Sequence, residues 1–139
     1  MTWILWALLS AFFAAGTAIF AKLGVAGVDS NFATAVRTTV VVLLAWAIAL
    51  ATHSAGSFHI PSKRTWLFLT LSGLATGLSW LCYFRALQLG PASRVAPLDK
   101  LSVVLVIAFA AIFLNEALTW GKALGGLLIV AGAIVIALD

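Results

Sequence analysis

Five runs of about 20 mostly apolar residues dominate this sequence and leave room for little else. A helix that rises about 1.5 Å per residue needs roughly 20 residues to cross a bilayer hydrocarbon core of about 30 Å. The runs occupy most of the 139 residues, so the remainder suffices only for short loops and the two ends. We therefore predict an all-α integral membrane protein with one five-helix domain over 1–139, whose transmembrane helices cover 3–21, 32–51, 66–87, 95–114 and 118–138.

The composition supports this membrane assignment. Hydrophobic residues make up 64% of the chain and charged residues only 9%, whereas an average soluble domain has about 25% charged residues. The formal net charge of +4 does not indicate a nucleic-acid partner, because several basic residues lie inside or beside the predicted spans. Membrane lipid headgroups or an anionic solute are the expected counter-charges.

Several special sites and segments can be set aside. Cys82 is the single cysteine, so no intramolecular disulfide can form. His53 and His59 share one loop without a third ligand, so we predict no metal site and no cofactor. The first apolar run is longer than the roughly 7 to 15 residues of a signal-peptide core, and no Lys or Arg precedes it. We expect that run to be a retained helix.

The first two spans carry small and polar residues at helical spacing. In the first span they form one face, which either packs against protein or lines a cavity through Ser10 and Thr17. In the second span, Arg37 lies roughly 10 Å past a predicted cap at Asp29 or Ser30. The alternative to a cavity role for Arg37 is that its side chain snorkels to the interface. The polar face around this arginine also contains Thr34 and Thr38.

The third span combines a polar stripe with a packing signal. Its hydroxyl-bearing residues follow one face of a helix: Ser72, Thr76, Ser79 and Tyr83. Trp80 lies beside that stripe, and we predict that the whole set lines a cavity. Gly73 and Gly77 form a Gly-x-x-x-Gly pair, which favours close helix packing. Arg85 lies on a different face near the far end, where an interfacial role is favoured.

A charged pair, Asp99 and Lys100, lies roughly two turns after the Gly90-Pro91 turn that opens the fourth apolar run. Each such charge costs about 2.5 to 3.5 kcal/mol at the centre of a membrane helix, so the pair indicates a binding site or a pathway. The alternative is that Lys100 snorkels to a headgroup while Asp99 pairs with a neighbour. We expect Asp99 to pair with Lys100 or Arg37, which leaves the other cation for substrate or phosphate. Asp99→Ala should then harm the protein more than a double change that also removes the partner cation.

The fourth and fifth spans form a predicted tight antiparallel hairpin. Only 115–117 separate them, and Thr119 is available as a helix cap. Small residues give the last helix a face suited to packing: Gly121, Gly125 and Gly132.

Four short motifs give the chain a family resemblance. They are Tyr-Phe-Arg-Ala-Leu at 83–87, Gly-Pro-Ala-Ser at 90–93, Phe-Leu-Asn-Glu at 113–116 and the small-residue pattern at 124–132. In these motifs the chain resembles the EamA-type repeat of the drug/metabolite transporter superfamily, and the resemblance covers essentially all of it as a single five-helix member. Two features depart from the family pattern. Asn115 stands where the family usually has glycine, and many double-repeat members lack the charges at Asp99 and Lys100.

The resemblance implies a transporter built from two such repeats. Typical members carry two repeats of opposite membrane orientation in tandem, and this chain has one. It therefore needs an inverted second copy, either as an antiparallel homodimer or with an opposite-facing paralogous subunit. The transporter would move a small-molecule solute by alternating access across a bacterial or archaeal plasma membrane.

The basic residues predict dual topology because they scarcely favour either orientation. Three of them lie toward one side, Lys63, Arg64 and Lys122, and five toward the other, Lys22, Arg37, Arg85, Arg94 and Lys100. If Arg37, Arg85 and Lys100 are set aside as membrane-embedded, the balance becomes three against two. The positive-inside bias is therefore weak, and its sign depends on the counting.

Two other function classes were weighed against transport. A non-transport membrane subunit would bind lipid headgroups or scaffold partners through Lys63, Arg64 and Arg94. An enzyme is not predicted, because no nucleophile–base pair, metal cluster or carboxylate dyad shares one membrane depth. For a transporter, the excess of basic over acidic residues within the spans predicts a neutral, zwitterionic or anionic solute rather than a lipophilic cation.

Overall fold

The computed structural model describes residues 2–52 and 62–139. Within these ranges the chain is helical, and no strand occurs. The helices are α1 (Thr2–Gly24), α2 (Ser30–Thr52), α3 (Lys63–Leu89), α4 (Ala92–Asp99), α5 (Ser102–Phe113) and α6 (Trp120–Leu138). Since α4 and α5 belong to one apolar stretch, the described chain has five spans long and apolar enough to cross a bilayer. This confirms the predicted all-α membrane fold with five spanning helices.

Side-chain caps fix three of the helix starts. The Asp29 carboxylate Oδ1 accepts from the backbone N–H groups of Asn31 and Phe32, at 3.0 and 2.9 Å, and so caps α2. The Ser62 Oγ accepts from the Thr65 N–H at 3.2 Å at the start of α3. The Thr119 Oγ1 accepts from the Lys122 N–H at 3.3 Å, so α6 begins at Trp120 and not at the predicted residue 118.

The fourth span is not the continuous helix predicted over 95–114, because it breaks between α4 and α5. Pro97 lies inside α4 and has no N–H to donate to the preceding turn. The N–H of Lys100 bonds to the Pro97 carbonyl at 3.1 Å, and that of Leu101 to the Leu98 carbonyl at 3.0 Å. Each bond connects residues three apart, as in a 3-10 helix, so the backbone here is wound more tightly than in an α-helix. The break places Asp99 at the end of α4 and Lys100 just after it.

Asn115 adopts a left-handed backbone conformation, with φ of 53°, just after the end of α5. The Glu116 N–H turns back to the Ala110 carbonyl at 3.1 Å, and this carbonyl also accepts from Leu114. Glycine adopts positive φ at no steric cost, and asparagine tolerates it better than most residues. This geometry explains why a glycine suits the position and why asparagine can replace it.

Substitutions at Asn115 should therefore separate by backbone preference. We expect Asn115→Gly to keep or slightly raise stability and Asn115→Val to lose about 1 to 2 kcal/mol, because a β-branched side chain strains the left-handed conformation more than asparagine does. Denaturant unfolding in mild detergent, followed by circular dichroism, measures both. Leu114→Val is the control, since the Leu114 φ of −107° is negative. Equal stability of the glycine and valine variants would contradict the backbone explanation.

The chain divides into two compact units, Met1–Phe20 with Leu89–Asp139, and Ala21–Gln88. In the first unit α6 packs against both α4 and α5. Gly126 is buried there, and a Cβ at this position would lie 3.8 Å from the side chains of Val104 and Ile107. These are ordinary van der Waals distances, so Gly126 marks where α6 meets α5 and leaves room for one methyl group.

The core of the second unit lies where α1 ends, α2 begins and α3 ends. Its buried residues are Ala21, Val25, Ser30, Thr34, Phe84 and Leu87. Two side chains tie the end of α3 to the preceding elements: the Lys22 Nζ donates to the Leu87 carbonyl, and the Gln88 Nε2 donates to the Val28 carbonyl at 2.6 Å. These bonds hold the last turn of α3 beside the end of α1 and the loop that precedes α2.

Candidate functional site

Arg37 of α2 lies against two aromatic rings of α3. Its guanidinium carbon is 4.1 Å from the Trp80 ring centroid and 5.5 Å from that of Phe84. Trp80 and Phe84 are four residues apart and therefore share one face of α3. A cation–π contact contributes about 0.5 to 1 kcal/mol when exposed and about 2 when desolvated. The two rings thus offset part of the roughly 2.5 to 3.5 kcal/mol that an arginine costs inside a membrane helix.

The acidic residues of the described chain are engaged elsewhere. Asp29 caps α2, Asp99 lies 3.3 Å from the Lys100 Nζ, and Glu116 lies 3.3 Å from the Lys122 Nζ. Asp139 forms no ion pair with another described residue. Within 2–52 and 62–139, Arg37 therefore has no carboxylate partner. It is a half-buried cation whose contacts are aromatic.

The hydroxyl groups beside Arg37 bond to their own helix. The Thr34 Oγ1 donates to the Ser30 carbonyl at 2.8 Å, and the Thr38 Oγ1 donates to the Thr34 carbonyl at 2.7 Å. Backbone carbonyls one turn earlier therefore accept both hydroxyl protons, as is common for threonine inside a helix. The second unit thus brings together Arg37 and Trp80 from the predicted cavity set and adds Phe84. Tyr83 of the same set lies half-buried on α3.

The other predicted cavity residues of α1 and α3 are more open. Ser10, Ser72, Thr76 and Ser79 are exposed, and Thr17 is half-buried. Thr76 donates its hydroxyl to the Ser72 carbonyl at 2.9 Å. The hydroxyl stripe of α3 therefore lies on the surface of the single chain, and its cavity role stays a prediction.

Asp99 and Lys100 form an ion pair with each other at the break between α4 and α5. The Lys100 Nζ lies 3.3 Å from the Asp99 Oδ2, and the two side chains are 57% and 37% exposed, respectively. This is one of the two pairings expected for Asp99. The positive charge of Lys100 and the negative charge of Asp99 neutralise each other. Arg37 belongs to the second unit and is not part of this pair.

The profile of the EamA-like transporter family matches residues 1–138. The chain belongs to the EamA-like transporter family. A protein of Sinorhizobium sp. named "Uncharacterized transporter in cobO 3'region" is 57% identical over 139 aligned residues, which cover 98% of this chain and 96% of that protein.

A second relative of this EamA-like protein is more distant. It is named "Probable 4-amino-4-deoxy-L-arabinose-phosphoundecaprenol flippase subunit ArnF", comes from Erwinia tasmaniensis, and is 44% identical over 86 residues. That alignment covers 60% of this chain and 64% of the subunit. No solved structure matches this chain significantly.

The predicted glycine faces of this EamA-like protein are open within the single chain. Among the described residues, a Cβ added at any of five glycines would meet nothing within 4 Å: Gly73, Gly77, Gly121, Gly125 and Gly132. These positions offer flat surfaces against which another helix can pack closely. Their packing role stays a prediction, whereas Gly126 already lies within van der Waals distance of α5.

Sequence reasoning missed part of the Arg37 surroundings. Phe84 was not selected, although its position four residues after Trp80 was a usable signal. Gln88 was also missed, and Arg85, predicted to be interfacial, is exposed and donates to the Gln88 Oε1 at 2.9 Å. The histidines considered as metal ligands lie in 53–61, outside the described residues. Elsewhere in the chain no group of three His, Cys, Asp or Glu could hold a metal ion.

Proposed function

We propose that this protein is one half of a membrane transporter in which two oppositely oriented five-helix units move a small metabolite by alternating access. Membership of a transporter family supports transport and weighs against an enzyme. The observation that carries the two-unit arrangement is the exposure of the α3 hydroxyls at Ser72, Thr76 and Ser79. Polar groups facing hydrocarbon are unfavourable, so a second unit that covers them would enclose a polar cavity.

The proposed partner is a second copy in the opposite orientation or a paralogous subunit. An odd number of spans places the two ends of a chain on opposite sides of the membrane, and transport sites lie between inverted halves. The flippase relative is named as a subunit, which supports assembly with another polypeptide. The open glycine faces give such a partner a place for close helix contact.

The proposed location is a bacterial plasma membrane, with residues 1–139 acting as one five-helix unit. Both relatives come from bacteria, which supports this location. The alternative, a non-transport subunit that binds headgroups or scaffolds partners, is favoured only by exposed basic residues such as Arg64 and Arg94.

A flux assay tests transport directly. Purified protein in sealed vesicles should accumulate at least one member of a labelled panel of amino acids, organic acids and phosphorylated metabolites, above empty vesicles. A scaffold should move nothing. Absence of flux for every panel member, with correctly folded protein confirmed by circular dichroism, would favour the scaffold.

Topology variants test the inverted arrangement. C-terminal reporter fusions of the wild type should report from both sides of the membrane. Removing Lys63 and Arg64 in one variant, and Arg85 and Arg94 in another, should bias the two variants toward opposite orientations, because orientation follows basic loop residues. We expect each variant alone to lose flux and coexpression to restore it. A one-sided wild-type reporter in a cell that lacks an opposite-facing paralogue would rule out the homodimer.

A further inference from the structure

We propose that Arg37, which lies over the Trp80 and Phe84 rings, binds an oxyanion of the ligand: a carboxylate or a phosphate group. The claim that the oxyanion belongs to a transported substrate rests on the proposed transport function. The claim that Arg37 binds an anion rests on contacts between α2 and α3 within one compact unit.

The first reason is charge. The chain has four acidic residues, and all lie in the described part. Three are engaged by a helix cap or a lysine, and the fourth, Asp139, forms no ion pair within the described residues, so Arg37 has no carboxylate partner there, about 10 Å inside α2. The segment 53–61, outside the described residues, contains no Asp or Glu that could pair with it. An anion that is not part of the described chain can therefore compensate this charge.

The second reason is geometry. The Arg37 guanidinium carbon lies over the Trp80 ring, 4.1 Å from its centroid. Arginine carries five N–H donors in a rigid planar fork. Arg37 donates no hydrogen bond to another described residue, and the protons of Thr34 and Thr38 are already donated to carbonyls. A planar fork with free donors matches carboxylate and phosphate oxygens.

The third reason is preorganisation. Phe84 is only 3% exposed, so one ring beneath the guanidinium is held by the core. The end of α3 is tied to the α1–α2 loop through the Gln88–Val28 bond of 2.6 Å. Rings fixed in this way reduce the ordering cost of binding. The same fixed positive charge opposes a quaternary ammonium ligand.

Fluorine NMR of tryptophan gives a direct test on the full chain. 5-Fluorotryptophan labels all six tryptophans, and Trp80→Phe identifies the Trp80 resonance. The probes are inorganic phosphate, succinate and tetraphenylphosphonium, added to protein in phosphatidylcholine nanodiscs. A separate arm uses nanodiscs that contain phosphatidylglycerol and no added anion, so that a lipid headgroup and a free solute are distinguished.

We expect a saturable shift of the Trp80 resonance with phosphate, succinate or phosphatidylglycerol, and no such shift with tetraphenylphosphonium. Arg37→Gln should weaken the anion response at least about tenfold, because a charge-assisted hydrogen bond is lost. Arg37→Lys should weaken it less. Arg64→Gln is the matched control: it removes one positive charge and one arginine–aromatic contact, of 5.8 Å to Phe68, at the exposed start of α3.

Three results would overturn the site. One is a Trp80 resonance that responds to no anion and no anionic lipid. Another is an equal shift of all six resonances, which would indicate a general charge effect. The third is a loss of response in Arg64→Gln equal to that in Arg37→Gln. The flux assay separates this proposal from the proposed transport function. Anion binding without flux would contradict only the transport function. Flux that is unchanged in Arg37→Gln would contradict only the site.

Discussion

Phe84→Ala is expected to destabilise the protein by about 3 kcal/mol, the largest loss among single core substitutions. Phe84 is 3% exposed and lies in the core of the second unit. In a soluble protein the change costs about 3 to 5 kcal/mol, from lost transfer energy and from the cavity left behind. Lipid tails are nearly as apolar as a protein core, so the cavity and the lost contacts dominate here and the low end applies. Arg37 also loses one of its two aromatic contacts.

The measurement is reversible unfolding in mixed micelles, by titration with a denaturing detergent. Phe68→Ala is the matched control, since Phe68 is on the same helix and is 58% exposed. Leu87→Ala and Leu78→Ala form a second pair, at 0% and 65% exposure. We expect the exposed member of each pair to change stability by less than about 0.5 kcal/mol. Equal losses within both pairs would show that the core is not at this end of α3.

The sequence was sufficient for the spans because membrane crossing is decided by length and apolarity, which are local. Capping was also predictable, since Asp29 and Thr119 act on backbone groups two or three residues away. The break in the fourth span was missed although Pro97 was visible. The apolar run continues through that proline, and hydropathy does not record a lost hydrogen bond.

The candidate site was predictable only in part, for a different physical reason. Arg37 and Trp80 were selected because a charge and an indole are unusual inside a span. Phe84 and Leu87 were not, because a lipid-facing and a protein-facing apolar residue have the same hydropathy in a membrane protein. Which aromatic ring meets Arg37 depends on how α2 packs on α3, and no single helix specifies that contact.

Lys100→Ala is expected to be the most harmful change at the break between α4 and α5. It leaves Asp99 unpaired about 10 Å inside the span, where a lone carboxylate costs about 2.5 to 3.5 kcal/mol at most. The aspartate side chain is too short to reach the interface. Asp99→Ala should harm less, since the longer Lys100 side chain can snorkel. The double change should be the mildest, because removing a whole ion pair costs less than leaving one charge behind.

A double-mutant cycle measures this coupling through membrane-inserted yield and unfolding free energy. The Lys122–Glu116 pair provides the matched control, because its nitrogen–oxygen distance is also 3.3 Å but it lies at the α5–α6 turn with side chains 43% and 54% exposed. An ion pair in contact with water contributes about 0 to 1 kcal/mol, so its cycle should show little coupling. We expect a coupling energy of more than about 1 kcal/mol between Asp99 and Lys100 and a much smaller one between Lys122 and Glu116. That difference would place the Asp99–Lys100 pair in the hydrocarbon region. Additive effects at both pairs would instead mean that Asp99 and Lys100 reach water independently.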